Sequence, residues 1–307
     1  MPSKSAHILC VGHTSLDRVF RVPSWPAGSA KIKAQSYRES GGGMAANAAA
    51  AIAQLGGTVE FWGPAGDDRI ADVMAAELRQ FGVDVGGLQR IAGCESSHSA
   101  ILVDDRGERL IIGMRGQALQ SSGDWLPIDR VEFASVVLAD VRWPAGARRV
   151  MVAAREWGVP AILDADVAES GTLRELVGLA DYAIFSEPGL EAFAGTAGSL
   201  SLACALEVGA TIAAVTRGAK GVNWIARQSR DVVHHIAAHP IDTVIDTTGA
   251  GDVFHGAFAL ALAEAQPLER AMRFATIAAS LKCARDGPRS VPTRSMVTAI
   301  LERGRDV

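Results

Sequence analysis

Short apolar runs that alternate with helix-patterned segments are the feature that most constrains this chain of 307 residues. Because parallel strands need long crossover connections, the alternation predicts an α/β fold: a mostly parallel sheet with helices on both faces. The predicted strands are 7–12, 59–63, 135–141, 160–166, 182–186, 212–218 and 243–248. The predicted helices are 44–55, 70–81, 145–157, 190–194, 251–265 and 268–283.

Two further stretches, 17–39 and 99–114, have the alternating polar and apolar pattern of half-buried strands. The second is centred on Asp104-Asp105-Arg106-Gly107, a hairpin turn signal. We expect the two stretches to pair as a small β-sheet lid away from the main sheet. The predicted organisation is one α/β domain over residues 1–307, with lid strands inserted at about 17–39 and 99–114.

Composition narrows the classes of partner. The net charge is −4 and no basic stripe occurs, so no nucleic-acid partner is expected. The four cysteines are widely spaced and form no CxxC pair, which favours a reduced compartment over a disulfide framework or zinc site. No targeting segment and no apolar run long enough to span a bilayer is visible, so we expect a cytoplasmic protein with no membrane partner.

The strongest chemical signal is the run DTTGAGD at residues 246–252, which opens an apolar helix. A glycine-rich turn into a helix directs backbone N–H groups and the positive end of the helix dipole at one spot, which predicts an anion site. Asp252 would repel a phosphate there unless it takes a proton from a hydroxyl that attacks the phosphorus. The alternative is an ordinary acidic residue in a first helical turn.

A second glycine-rich run, GGGMAAN at residues 41–47, also opens a helix. The two runs, about two hundred residues apart and in this order, resemble the signatures of the ribokinase/PfkB family of carbohydrate kinases, and the resemblance covers essentially the whole chain. It implies a ribokinase-like fold with a β-sheet lid, and a small sugar as substrate. ATP and Mg²⁺ are implied as phosphoryl donor and metal, and a homodimer through the lid is implied as well.

The resemblance also assigns roles to individual positions. It implies that Asp252 is the catalytic base and that Gly249, Ala250 and Gly251 form the anion hole. It places the sugar on Asp17, Gly42, Gly43 and Asn47. Asp17 lies just past the first strand, where open α/β sheets bind ligands, although a plain turn aspartate is the alternative. The nucleotide is implied to contact Ser186, Thr216, Gly218, Gly221, Ala279 and Cys283.

Magnesium is the first point where the chain departs from the family pattern. The family carries an Asn-x-x-Glu element that orders magnesium through waters, and the matching segment here is Ser186–Glu191. Serine replaces the asparagine, so the acidic role falls to Glu187 or Glu191. Glu187 is the residue that we predict.

The substrate class is narrowed by the segments VGHTSLDR, VVLADVRW and FSEPGL, which resemble the ketose kinases of this family that act on sulfofructose. This resemblance implies that Lys31 and Arg142 hold an anionic end of the substrate, and a guanidinium fork suits paired oxygens. Gly113 stands where those enzymes have asparagine, with Arg115 close by to compensate. A sulfofructose-like, fructose-like or phosphorylated ketose therefore stays open.

Other classes explain the chain less well. Gly41-x-Gly43-x-x-Ala46 loosely fits a dinucleotide fingerprint, but the polar segment before it is not the buried strand that this motif requires. No GxxxxGK[ST] run of a Walker-type NTPase occurs. A non-catalytic sugar- or nucleotide-sensing relative would have lost the base, which is present. A nucleoside kinase is the remaining alternative, weakened by the few aromatic residues available to stack on a base.

Overall fold

The computed structural model describes residues 6–24, 28, 31–106 and 108–303. Its strands are β1 (His7–Val11), β2 (Ser15–Arg21), β3 (Ser36–Gly42), β4 (Thr58–Gly66), β5 (Asp84–Ile91), β6 (His98–Val103), β7 (Arg109–Met114), β8 (Val136–Asp140), β9 (Ala161–Ala165), β10 (Tyr182–Ser186), β11 (Ile212–Thr216), β12 (Val222–Ala226) and β13 (His234–Ile236). Its helices are α1 (Met44–Gln54), α2 (Arg69–Gln80), α3 (Pro144–Trp157), α4 (Ser170–Leu179), α5 (Glu187–Ala194), α6 (Ser199–Val208), α7 (Ala250–Ala263), α8 (Leu268–Lys282) and α9 (Arg294–Arg303).

The large sheet has the order β13-β12-β11-β10-β9-β8-β1-β4-β5. Every neighbouring pair from β5 to β11 is parallel, and β12 and β13 add an antiparallel edge. The strands β1, β8, β9 and β10 are apolar and almost wholly buried, as strands covered on both faces must be. The predicted mostly parallel sheet is confirmed.

Helices cover both faces of the large sheet, as predicted. One core lies between the sheet and the helices α1, α2, α7, α8 and α9. The second lies on the opposite face, under α3 to α6. Because both faces are covered, ligands have access to this sheet mainly at its strand ends.

A separate four-stranded sheet, which we call the lid, has the order β3-β2-β6-β7. Strand β2 follows β1 directly and pairs antiparallel with β3, while β6 and β7 form a hairpin. β2 and β6 are parallel neighbours, and this pairing joins the two separated stretches. A small separate sheet is therefore present, whereas the organisation of the whole chain as one domain stays a prediction.

The predicted strand at 243–248 is wrong. The segment is an irregular loop in which Val244 and Ile245 are 61% and 56% exposed. The N–H groups of Ile245 and Asp246 both donate to the carbonyl of Cys283, so the loop is tied to the end of α8 instead of to a sheet. β12 and β13, which the sequence reasoning missed, occupy the sheet edge.

Helices α1 and α7, which begin at the two glycine-rich runs, pack at very short range. A Cβ atom added at Gly256 would lie 2.5 Å from the carbonyl oxygen of Ala48 and 3.1 Å from the Cβ of Ala51. Glycine at this position lets the backbones approach until the first turns of both helices face the same space. The packing therefore sets the distance between the two runs.

We expect Gly256→Ala to lower the free energy of unfolding by about 1–3 kcal/mol, because the added methyl group forces α1 and α7 apart. Gly171→Ala is the matched control, since its Cβ would meet no atom closer than 3.9 Å. Helix propensity alone would stabilise both variants. Urea denaturation measures the difference, and equal stability of the two variants would contradict the close-packing account.

Candidate active site

Asp140, at the carboxyl end of β8, holds together the backbone segments that border this edge of the large sheet. Its buried carboxylate accepts hydrogen bonds from the N–H groups of His13 at 2.8 Å, Ala45 at 3.0 Å and Arg142 at 2.8 Å. A Cβ at Gly12 would lie 2.3 Å from this carboxylate, so only glycine fits there. One side chain thus fixes the loops after β1 and β8 and the start of α1. The sequence signal for it was an aspartate that ends an apolar run.

The predicted anion hole lies at the start of α7. Gly249 adopts the left-handed conformation at φ 77°, and a Cβ atom built on it would lie 2.6 Å from the carbonyl oxygen of Pro288. The N–H of Ala250 is engaged with the Thr247 carbonyl at 3.2 Å. No neighbouring atom lies within 4 Å of a Cβ built on Gly251, so the space over it is open. First-turn N–H groups and the helix dipole both favour an anion here.

Asp252 lies in the same first turn, partly buried, and Oδ2 accepts a hydrogen bond of 2.7 Å from Nδ2 of Asn47. Burial raises the pKa of Asp252 to about 7, with a further upward contribution from the negative charge of Asp164. The hydrogen bond from Asn47 acts in the opposite direction. A carboxyl group whose pKa is close to neutral suits a general base.

His255 and Asp164 lie beneath Asp252, and sequence reasoning missed both. The ring of His255 has Nδ1 at 2.8 Å from the Gly251 carbonyl oxygen and Nε2 at 3.3 Å from that of Ile184. Asp164 Oδ2 is 3.4 Å from Nδ1. Burial lowers the pKa of His255, whereas burial and the charge of Asp140 raise the pKa of Asp164 well above its ordinary value. His255 therefore supports the Gly251 peptide of the first turn.

The predicted sugar-side residues come together from three elements. Oδ1 of Asp17 in β2 accepts a hydrogen bond of 2.7 Å from the hydroxyl of Ser99 in β6. A Cβ at Gly42 would lie 2.4 Å from Oδ2 of Asp17, so these two residues touch. Gly43 has φ 93° and lies against the His13 carbonyl. With Asn47 bonded to Asp252, these residues form one continuous wall.

Arg142 is present in this region but is already paired. Its guanidinium contacts Asp166 at 2.6 Å and donates to the Val167 carbonyl at 2.9 Å. Burial lowers the pKa of His13. The charges of Arg115 and Arg142 act in the same direction, against the negative charges of Asp140 and Asp17. Lys31 is exposed, and no hydrogen bond or ion pair among the residues that the structure describes links it to the site.

The predicted nucleotide-side residues lie at the ends of β10 and β11. Thr216 Oγ1 donates to the Phe185 carbonyl at 3.2 Å. Gly218 is exposed at φ 54°, and Gly221 at φ 85° lies against the Ile236 carbonyl. Ser186 caps α5 by accepting from the Gly189 N–H at 3.0 Å. Both turns place polar groups at the carboxyl edge of the parallel strands.

The other two predicted nucleotide residues lie at the end of α8. Cys283 is half-buried, with Sγ at 3.4 Å from the Ala279 carbonyl oxygen, and burial raises the pKa of its thiol. Its own carbonyl holds the loop 245–246, as described above. The structure thus brings Ala279 and Cys283 next to the loop that leads into the anion hole.

A buried ion pair supports that loop from behind. The carboxylate of Asp246 accepts from the N–H groups of Thr248 at 2.9 Å and Gly287 at 3.0 Å. Against the effect of burial, hydrogen bonds from Thr248 and the charge of Lys282 lower the pKa of Asp246 to about 2. The fully buried ammonium of Lys282 donates to the Asp246 carbonyl at 2.6 Å. Removing such a charge is costly, so the pair fixes the entry to α7.

For a metal, Glu187 is the predicted residue, and it pairs with Arg217 at 3.0 Å. Asp166 lies on the adjacent strand end and is linked to Ser186 by a hydrogen bond of 2.8 Å. Within the described ranges, no group of three or more His, Cys, Asp or Glu side chains is arranged to hold a metal. Oxygen donors from one or two carboxylates fit magnesium bound through nucleotide phosphates, since that ion rarely needs an all-protein cage.

Among the residues that the structure describes, no helix is long and apolar enough to cross a membrane.

The raised pKa of Asp252 has a consequence for stability. The folded chain holds this proton more tightly than the unfolded chain, whose value is near 3.8, so the stabilisation is complete below about pH 4 and is lost as the pH rises through 7. We expect Asp252→Asn to melt above wild type by roughly a few degrees at pH 8 and by less at pH 5. Melting curves at both pH values measure this, and a variant that melts below wild type at pH 8 would contradict it.

Comparisons with known proteins agree with this geometry. The model of the pfkB family of carbohydrate kinases matches residues 5–294. The chain is 30% identical to the ATP-dependent ribose-1-phosphate kinase of Halopiger xanaduensis, over 96% of this chain and 97% of that protein.

Two solved structures have the same fold as this chain. One is a protein of Agrobacterium tumefaciens provisionally called a ribokinase, with 35% identity, a TM-score of 0.91 and coverage of 98% and 99% of the two chains. The other is the ribokinase of Arabidopsis thaliana complexed with ribose and ATP, with 27% identity, a TM-score of 0.84 and coverage of 96% and 98%. The ribokinase-like fold class is thereby confirmed.

Proposed function

The chain belongs to the pfkB family of carbohydrate kinases, which are ATP-dependent phosphotransferases, and from this premise we propose that it phosphorylates a small ketose, fructose-like or sulfofructose-like. The observation that carries the proposal is the contact between Asp252 and Asn47 beside the first turn of α7. It sets Asp252, a carboxyl group of raised pKa, next to the predicted anion site and to the wall that contains Asp17. A hydroxyl held by that wall lies within reach of both.

In the proposed reaction Asp252 takes the proton of a primary hydroxyl as its oxygen attacks the γ-phosphorus of ATP in line. The oxygen–phosphorus bond forms while the bond from the γ-phosphorus to the β-phosphate oxygen breaks, and ADP leaves. N–H groups at the start of α7, around Gly249 and Gly251, stabilise the charge on the phosphoryl group in transit. Closure of the lid excludes water and so limits ATP hydrolysis.

Magnesium is part of the proposal. When bound with the nucleotide phosphates, it supplies neutralisation of their charge. Glu187 and Asp166 would hold it at the ends of β10 and β9, and Ser186 keeps Asp166 in place.

The cytoplasmic location remains a prediction.

The charges on the sugar side favour a substrate with an anionic group. Arg115 is exposed and has no ion pair within the described ranges, and its charge reaches His13 as that of Arg142 does. Nε2 of His13 is buried and has no hydrogen-bond partner among the described residues. A sulfonate or phosphate on the sugar would offer this nitrogen and these arginines acceptor oxygens.

The direct test is ADP release with Mg-ATP across fructose, sulfofructose, fructose 1-phosphate, ribose, ribose 1-phosphate and inosine. We expect an anionic ketose to give the highest kcat/KM. Arg142→Gln should then raise its KM about tenfold, the loss of one hydrogen bond to a charged group, and raise the KM of neutral sugars less, since any effect through Asp166 is common to all sugars. Arg148→Gln is the matched control, because Arg148 on α3 forms an exposed ion pair with Glu175 on α4. A preference for ribose or inosine would overturn the ketose assignment, and the absence of any turnover would favour a sensing protein.

We also propose a homodimer through the lid. Its edge strand β7 carries Leu110, Ile111 and Ile112 at 51%, 61% and 61% exposure. An exposed apolar edge strand is a ready surface for pairing with another chain. Sedimentation velocity of wild type should give a dimer, and Ile111→Lys should give a monomer. A wild-type monomer at micromolar concentration would contradict the proposal.

A further inference from the structure

A buried arginine that belongs to neither glycine-rich run lies behind the partner of the base. Arg289, in the segment between α8 and α9, is 5% exposed. Its Nε donates to Oδ1 of Asn47 at 2.9 Å, and its Nη2 donates to the carbonyl of Gly42 at 3.2 Å. One guanidinium therefore contacts both the helix that carries Asn47 and the last residue of the lid strand β3.

The third nitrogen of this guanidinium faces α2. Nη1 lies 3.2 Å from Oε2 of Glu77, and the same oxygen accepts from the N–H of Gly41 at 2.6 Å. A Cβ at Gly41 would lie 2.0 Å from Nη1, so glycine is required for the lid strand to end against the arginine. The end of β3 is thus packed and hydrogen-bonded onto the pair formed by Arg289 and Glu77.

The contact with Asn47 decides which end of its amide faces the base. A carboxamide has a donor end and an acceptor end, and the two can exchange by a rotation of 180°. Because Arg289 offers only donors, the oxygen of Asn47 must face it and the NH₂ group must face Asp252. The reversed amide would set its oxygen against the carboxylate of Asp252 and leave both contacts repulsive.

We propose that Arg289 is a positioning residue for phosphoryl transfer, which orients the Asn47 amide toward Asp252 and joins that contact to the end of the lid strand through Gly42 and Glu77. This inference rests on the proposed role of Asp252 as the base. The arginine touches neither the reacting atoms nor Asp252 directly. It acts through the amide, and its own place is set by α2 and β3.

The proton affinity of the base should report this role. Asp252 is faced by Asp164 from β9, Asp140 from β8, His255 from its own helix and Asn47 from α1. Arg289 is faced in turn by Glu77, Asp17 and Asp252. Without Arg289, the amide no longer donates reliably to the ionised carboxylate, so protonation of Asp252 becomes easier and the base is lost at a higher pH.

The test is the pH profile of kcat/KM for the best sugar of the panel, measured for wild type, Arg289→Gln and Arg38→Gln. Arg38 is the matched control, because it lines the same surface depression of about 610 Å³ as Arg289 but pairs with Asp286 on the exposed side. We expect Arg289→Gln to move the acid limb upward by at least about half a pH unit and to lower kcat about ten- to a hundredfold, the worth of a hydrogen bond to a charged group. Arg38→Gln should match wild type.

A double-mutant cycle separates positioning from a general structural effect. In an Asn47→Ala background, Arg289→Gln is expected to cost no more than about twofold, because the amide through which it acts is gone. An undiminished loss in that background, or an unshifted acid limb in the single variant, would overturn the inference. Arg289→Lys serves if the glutamine variant does not fold, since it retains the buried charge but lacks the Nε–H, and it should show the same shift.

Failure of this inference can be told from failure of the proposed function. If Asp252→Asn is inactive while Arg289→Gln retains the wild-type pH profile, only the role of Arg289 is wrong. If Asp252→Asn turns over as wild type does, the base assignment is wrong, and the inference falls with it.

Discussion

The hydrogen bond of 2.7 Å between Asn47 and Asp252 is the interaction on which the rest of the site depends. It joins two helices that begin 206 residues apart in the chain, at Met44 and at Ala250. Neither helix could be brought this close without the glycine at 256, whose position admits the backbone of α1. The close packing of α1 and α7 in the core therefore also fixes the distance between Asn47 and Asp252 at the strand ends. The fold sets the position of Asp252, the proposed base, because it sets how near the two helices can come.

The site concentrates negative charge, and the fold compensates for it at separate points. Asp140, Asp164, Asp166 and Asp252 all lie near the carboxyl ends of the central strands. Asp140 is satisfied by three backbone N–H groups, and Asp166 is paired with Arg142. Asp164 and Asp252 are left with burial as the dominant influence, which raises both pKa values. An ionised neighbour that remained unpaired here would work against a phosphate. Asp140 and Asp166 are compensated, and the raised pKa of Asp164 favours its neutral form, so Asp252 is the carboxylate that we propose as the base.

Much of this arrangement could be predicted from the sequence, because its signals are local. Alternation of apolar runs with helices indicated the sheet, and the two glycine-rich runs indicated the helix starts that face each other. The segment 243–248 was misjudged because its apolar β-branched residues fit a strand, whereas the hydrogen bonds that decide its conformation come from the distant Cys283. The antiparallel edge strands β12 and β13 follow β11 with no α-helix between them, so the alternation of strands with helices does not predict them. These errors arise where tertiary contacts outweigh local preference.

The residues around Asp252 that sequence reasoning missed make contacts with residues far away in the chain. Arg289 contacts Asn47 across 242 positions, and His255 meets Ile184 across 71. No local pattern marks an arginine in a short segment between two helices as a partner of an asparagine near the start of the chain. The roles given to the site residues stay predictions, and those that meet in space, unlike Lys31, gain support from their contacts.

The most direct test of the central claim is a single-turnover measurement of phosphoryl transfer, with enzyme in excess over labelled ATP at saturating sugar and pH 8. We predict that Asp252→Asn binds ATP and sugar as wild type does but transfers the phosphoryl group at least about a hundredfold more slowly, the range of general-base assistance. Transfer at the wild-type rate by a variant that lacks the carboxylate would contradict it.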